Sequence, residues 1–296
     1  MRKIFFISIS ILCLSGLTLS AQYKPSADSL KKHVKYLSSD ELQGRKAGSE
    51  GDSLAAVYIC NHFANAGLTP LFNTGIQHFT LVTDVKPGSN NHLSANGKIF
   101  IFPDDFSPFS FSIDTTIKSG VVFAGFGIVG QSGNLSWDDY KNQDVKGKWV
   151  LVLRGDPEPD NSTSEFIPLS TDRAKSLTAK DKGAAGVLLV SPTSIEKTDH
   201  PVDMTFDKSV SDAGIPVISI TRKTAADILA MPLTAIDSLE KAMISNKQTI
   251  SFNVNTTVNA TSDIQRTKAV SRNIAAILTG NDPVLKDEYI VIGAHY

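Results

Sequence analysis

Cysteine is nearly missing from this sequence. Only Cys13 and Cys60 occur in 296 residues, too few for a disulfide-stapled scaffold. No run of Lys and Arg stands out, which excludes the electrostatic footprint of a nucleic-acid binder. There is no His-Glu-x-x-His pair and no cysteine cluster at metal spacing. A Gly-x-Ser-x-Gly nucleophile elbow is also missing, as are a phosphate loop and a dinucleotide fingerprint. No internal repeat is present. What remains is ordinary globular composition, with 41% hydrophobic and 20% charged residues and a net charge of -1. Length alone allows about two domains.

The first residues read as a leader rather than as fold. Arg2 and Lys3 precede an apolar stretch from Ile4 to Leu19, and small residues follow at Ser20 and Ala21. This is the pattern of a secretory signal peptide over residues 1–21, cleaved after Ala21. The stretch is short and broken by serines, so no stable membrane span is expected. Ser10, Ile11 and Leu12 precede Cys13, which argues against a lipidation site. Cleavage removes two basic residues and no acid, moving the net charge from -1 to -3. The protein is therefore expected to be secreted or periplasmic. Cys60, the one cysteine left, falls in a predicted helix as an ordinary buried thiol.

Residues 26–38 predict a helix capped by Ser26 or Asp28, with Leu30, Val34 and Leu37 on one face. A glycine-punctuated loop, "SDELQGRKAGSEGD", leads to a second helix from about Asp52 to Ala66. Ser49 and Asp52 form a capping-box-like pair at its start, and Gly67 follows its end. "IQHFTLVTDV" reads as a strand, "GKIFIF" as a short one, and "SPFSFS" as an exposed hairpin. From Gly120 strands and helices alternate: "GVVFAGFGI", "GKWVLVLRG", the helix "TDRAKSLTAKDKG", "AAGVLLVS", "GIPVISI" and the helix "TRKTAADILA". That order implies an α/β unit with parallel pairing. A helical piece, "LTAIDSLEKAMIS", then precedes "QTISFNVNTTVNATSD", which alternates like an edge or connecting strand. "SRNIAAILTG" and "EYIVIGAHY" read as two further strands joined by a turn at Pro283.

Six histidines occur, at positions 33, 62, 78, 92, 200 and 295. The first five read as surface or satisfied core residues. His295 differs by position. It follows Gly293 and Ala294 at the carboxyl end of an apolar, β-branched run, and that edge of an α/β sheet is where ligands sit. Trp137 and Trp149 read as core, Arg45 as a loop-fixing arginine or one reaching toward an active-site mouth, and Asp156–Asp160 as a solvated loop in preference to a calcium site. Asn161, Asn255 and Asn259 fit the N-glycosylation pattern.

Three stretches together resemble a known family. "SRNIAAILTGNDPVLKDEYIVIGAHY" resembles the entry to the catalytic core of the co-catalytic zinc aminopeptidases, the bacterial leucyl aminopeptidase and aminopeptidase Y type. "YLSSDELQGRKAGSEGDSLAAVYICNHFANAGLTP" is similar to that family's opening helices and its Gly-Arg-x-x-Gly-Ser-x-Gly loop. "GVVFAGFGI", "DDYKNQDVKGKWVLVLRG", "AKDKGAAGVLLV" and "IPVISI" resemble the protease-associated domain that many members carry between those segments. The resemblance spans essentially the whole mature chain, in the family's order.

It implies an α/β peptidase domain with a mixed sheet, incomplete here, and a smaller inserted α/β domain. The expected division is 1–21 signal peptide, 22–114 first part of the peptidase domain, 115–250 insertion, and 251–296 resumption of the peptidase domain. It further implies peptide substrates and two zinc ions sharing a bridging carboxylate and a bridging water, with a glutamate as general base. By match, His295 is the first ligand of one zinc. The remaining ligands and the base would lie past Tyr296, so the chain is expected to be an N-terminal portion, inactive alone. Two other functions stay open: a receptor-like binding protein of the same architecture without the metal ligands, and a single-zinc glutaminyl cyclase on a similar fold, against which the inserted domain argues.

Overall fold

The computed structural model describes residues 26–132, 135–209 and 211–296; the signal-peptide expectation lies outside them. The helices are α1 (Ala27–Leu37), α2 (Glu50–Asn65), α3 (Asp172–Asp181), α4 (Arg222–Leu229) and α5 (Ala235–Asn246). The strands begin with β1 (Thr69–Pro70), β2 (Ile76–Pro87), β3 (His92–Ala95), β4 (Lys98–Ile99), β5 (Phe106–Pro108), β6 (Thr115–Ala124) and β7 (Val129–Ser132). They continue with β8 (Leu135–Asp138), β9 (Trp149–Leu153), β10 (Gly186–Val190), β11 (Val217–Ile220), β12 (Ser251–Ser262), β13 (Ile264–Ile274) and β14 (Ala276–Ile277). The chain divides into two compact units. One combines Met1–Gly75 with Ile274–Tyr296, and the other is Ile76–Asn273.

The first unit is built from both ends of the chain. Ser26 caps α1, its Oγ accepting from the Ser29 N–H, and Ser49 caps α2, its Oγ accepting from the Asp52 N–H. The box at α2 does not close, because the Asp52 carboxylate turns back to the Gly48 N–H instead. The glycine-rich loop folds into a 3-10 turn, Asp40–Arg45. Gly51 is pressed against it: an added Cβ would stand 1.8 Å from the Leu42 carbonyl oxygen. β1 and β14 pair antiparallel, Thr69 against Ile277. The expected apolar face of α1 forms, but Leu30 and Val34 are exposed.

The second unit is an eight-stranded mixed sheet in the order β4-β3-β12-β6-β9-β10-β11-β5. β6, β9, β10 and β11 run parallel at its centre. Every residue of β9 and β10 is buried, because both faces of this part are covered. Leu151, Leu153, Leu188 and Val190 face one core, shared with Ile228 of α4 and Met243 of α5. Val150, Val152, Val187 and Leu189 face the other, shared with Ala179 of α3. β2 and β13 form a separate two-stranded ribbon. Gln77 meets Asn273 and Thr83 meets Thr267, so the two strands run antiparallel. β7 and β8 form a hairpin.

Three local expectations are corrected. "SPFSFS" is not an exposed hairpin: β5 is an edge strand antiparallel to β11, and Phe109 and Phe111 are buried beside it. Phenylalanine on both sides of the serines carries enough apolar area to be drawn into the core. β12 is not an edge strand, since it lies between β3 and β6 with a bulge between Val254 and Thr257. Its alternation reflects one buried and one wet face, which an interior antiparallel strand shares with an edge strand. Finally, "EYIVIGAHY" forms no strand and no buried run. Tyr289, Ile290, Val291 and Ile292 are 72%, 94%, 89% and 93% exposed.

Candidate functional site

His295 sits in the first unit, exposed, in a segment with no regular secondary structure. Its neighbour Tyr296 turns inward, and the Tyr296 hydroxyl donates to Asp52 Oδ1 at 2.9 Å. The other carboxylate oxygen of Asp52 accepts from the Gly48 N–H at 2.9 Å, and Asp52 is only 2% exposed. The glycine-rich loop and the chain segment bearing His295 are thereby brought together. Arg45 lies in the same loop with its backbone in the left-handed region at φ 55° and its Nε buried without a hydrogen-bond partner.

A protein zinc site needs three or four ligands from side chains. His295 supplies one imidazole. Among the described residues no group of three or more His, Cys, Asp or Glu side chains could hold a metal ion. The residues present therefore do not make a zinc site by themselves.

Two of the histidines read as ordinary are in contact. His33 of α1 and His62 of α2 have ring centroids 4.6 Å apart, nearly perpendicular at 85°. The His33 Nδ1 lies 2.9 Å from the Tyr58 hydroxyl, and Tyr58 stacks on Tyr36 at 4.2 Å. The His33 Nδ1 is engaged by the Tyr58 hydroxyl, and among the described residues no third ligand joins the pair, so this is an aromatic packing cluster. The i, i+4 spacing of Tyr58 and His62 on α2 was the available signal for half of it. Cys60, expected to be buried, is half-buried, and its thiol pKa is pushed up by that burial.

The second unit concentrates charge at the carboxyl edge of its parallel strands. Arg154, just past β9, makes a bidentate pair with Asp172, both contacts at 2.9 Å, and donates to Ser191 past β10. Lys175 of α3 is fully buried and donates to the carbonyls of Leu153 and Gly155. Its ammonium also lies 5.4 Å from the Phe126 ring. Burial drives its pKa down to about 7, against the pull of Asp172, Asp139 and Asp156. Asp139 shows the converse: burial raises it to about 7, opposed by the Ile128 N–H, by Trp137 and by Lys175. Trp137 Nε1 and Asp139 Oδ1 are both buried without a hydrogen-bond partner.

Sequence patterning missed Lys175, because α3 buries Lys175, Ser176 and Ala179 while leaving Leu177 exposed. Trp137 and Trp149 are core residues, as expected. In the Asp156–Asp160 loop the side chains serve the loop itself: Asp156 Oδ1 accepts from the Glu158 N–H, and Glu158 Oε2 accepts from Asn161. Glu158 is held below the usual carboxylate range chiefly by that Asn161 bond.

Residues 118–228 match the family model described as the PA domain. The chain is thus a mixed α/β protein carrying a PA domain within its larger unit. No curated protein matches it. Among solved structures it is similar to an aminopeptidase from Aneurinibacillus sp. strain AM-1, at 19% identity and a TM-score of 0.41, over 85% of this chain and 47% of that one. It is similar to BSAP, a zinc aminopeptidase from Bacillus subtilis, at 19% identity and a TM-score of 0.35, over 85% and 46% of the two chains. A third likeness is to the psychrophilic subtilisin-like protease Apa1 from Pseudoalteromonas sp. AS-11, at 15% identity and a TM-score of 0.31, over 67% and 36%. At these TM-scores none of the three carries an argument about the reaction. The chain spans about half the length of the two aminopeptidase structures. Among the described residues no helix is long and apolar enough to cross a membrane.

Proposed function

We propose that this chain is the N-terminal portion of a secreted zinc-dependent aminopeptidase that removes N-terminal residues from peptides. One observation carries the reading. The two stretches that resemble the aminopeptidase family, residues 36–70 and 271–296, fall almost wholly in one unit, Met1–Gly75 with Ile274–Tyr296, while the PA domain lies in the unit between them in sequence. A module inserted into a loop of a host domain leaves that signature in the chain. Within the host unit, His295 is the residue proposed as a zinc ligand. Its partners, the second zinc's ligands and the general base would come from sequence following Tyr296. The domain division proposed with this reading is a leader over 1–21, host over 22–114, insertion over 115–250 and host again over 251–296; the compact units break instead at Gly75 and Ile274, so residues 76–114 and 251–273 fall in the same unit as the PA domain. The 296-residue chain is then expected to have no peptidase activity alone.

The test compares two proteins on aminoacyl p-nitroanilides: this chain, and the product of the same reading frame carried past Tyr296. Zinc-dependent release by the longer protein and none by the chain supports the proposal. Hydrolysis by the chain alone would overturn the inactivity. A frame that stops at Tyr296 would overturn the enzyme reading. N-terminal sequencing of the exported protein checks the leader, with the mature chain expected to begin at Gln22.

A further inference from the structure

Every residue from 278 to 295 is exposed, and Tyr296 is the first in that stretch to be partly buried. It reaches a carboxylate that is itself held rigidly. Gly48, at φ 81°, turns the chain so that its N–H meets Asp52 Oδ2. Ser49 caps the helix by accepting from the Asp52 N–H. Gly51 leaves no room for a side chain against Leu42, which fixes the first turn of α2 to the 3-10 turn before it. The successive residues of "GSEGD" thus have one common result: Asp52 Oδ1 is presented, almost fully buried, to the Tyr296 hydroxyl.

From this geometry we infer that Asp52 is a positioning residue for His295, acting through the Tyr296 hydroxyl. A hydroxyl-to-carboxylate bond is charge-assisted and stronger than a neutral one. Here it joins a fixed helix start to a segment that has no strand partner of its own. It sets where the backbone of residue 296 lies, and therefore where the adjacent imidazole is carried. The importance of His295 rests on the aminopeptidase reading. The tether does not, and its test involves neither metal nor substrate.

The experiment is NMR on the full chain, with Tyr296→Phe as the main variant because it removes the hydroxyl and nothing from α2. In the parent, the His295 and Tyr296 amides should show order parameters near the rigid-backbone value of about 0.85. In Tyr296→Phe they should fall below about 0.6, and the His295 ring lines should move to their unstructured positions. Amides of α2 should be unchanged. Asp52→Asn, which keeps the shape and weakens the acceptor, should produce a smaller drop, and the double variant should be no worse than Tyr296→Phe alone. Unchanged order and unchanged His295 ring lines in Tyr296→Phe would overturn the inference, whatever the peptidase assays show. So would equal, additive losses in the two single variants, because these would mean independent effects on the helix.

Discussion

Two short apolar runs meet opposite fates in this molecule. "GVLLV" of β10 is buried at every residue between β9 and β11, whereas "YIVI" at 289–292 is almost wholly exposed and has no strand partner among the described residues. Their compositions are close, and both are rich in the residues that favour strands. The difference lies in the neighbours. β10 has a parallel strand on each side and a helix-covered core on each face. A lone β-branched run has none of the hydrogen-bonded partners that make a strand stable. Hydrophobic sequence thus supplies the demand for burial, while strand order decides where it is met.

The sharpest test of that contrast is truncation. Leu188→Ala in β10 should lose about 3–5 kcal/mol of stability, since it leaves a cavity in a closed core. Urea denaturation of the full chain measures it. The next largest effect concerns the buried lysine. Lys175→Met removes the donor to two buried carbonyls and a cation that pulls on Asp139, and should cost about 3 kcal/mol. Its pH dependence has a definite sign. With a folded pKa near 7 and an unfolded one near 10.5, the unfolded chain binds more protons in that window. Lys175 therefore makes the parent gain stability as pH rises from about 7 to 10, and the gap to Lys175→Met should widen over that range.

Asp139→Asn probes the opposite case. The folded carboxyl titrates near 7 and the unfolded one near 3.8, so the native state binds more protons between them. This group's contribution declines as pH rises from about 4 to 7. Asn escapes that decline, so the variant should gain on the parent across this window, ending about 1–2 kcal/mol ahead by pH 8. Thermal unfolding at matched pH values reads the difference. The smallest effect is expected at the other end of the comparison. Ile290→Ala should stay within about 0.5 kcal/mol, as for any exposed site. A loss as large as that of Leu188→Ala would show that the run is buried in solution and would break the contrast.

The residues legible in advance are those whose signal is local. Ser49, and Ser26 as one of two candidates beside Asp28, were readable as helix caps because a hydroxyl before a periodic run can accept from the first turn. β9 and β10 were readable as strands because nothing polar interrupts them. Lys175 was not readable, since a lysine in a helix is ordinarily solvated and the carbonyls of Leu153 and Gly155 that receive it lie in another segment. The Asp52–Tyr296 contact was out of reach for a related reason: 244 residues separate the partners, and no local pattern links them.

By itself the sequence determined the helices and the central strands of the alternating α/β stretch matched by the PA domain, the cap at α2, and the presence of a histidine after two small residues. These follow from periodicity and short-range hydrogen bonding, which act within a few residues. Only the tertiary structure decided that β12 is interior, that Phe109 and Phe111 are core, that Lys175 is buried, and that Tyr296 is held by Asp52. Each of those depends on which distant segment supplies the other surface, and pairing and burial are properties of two surfaces at once.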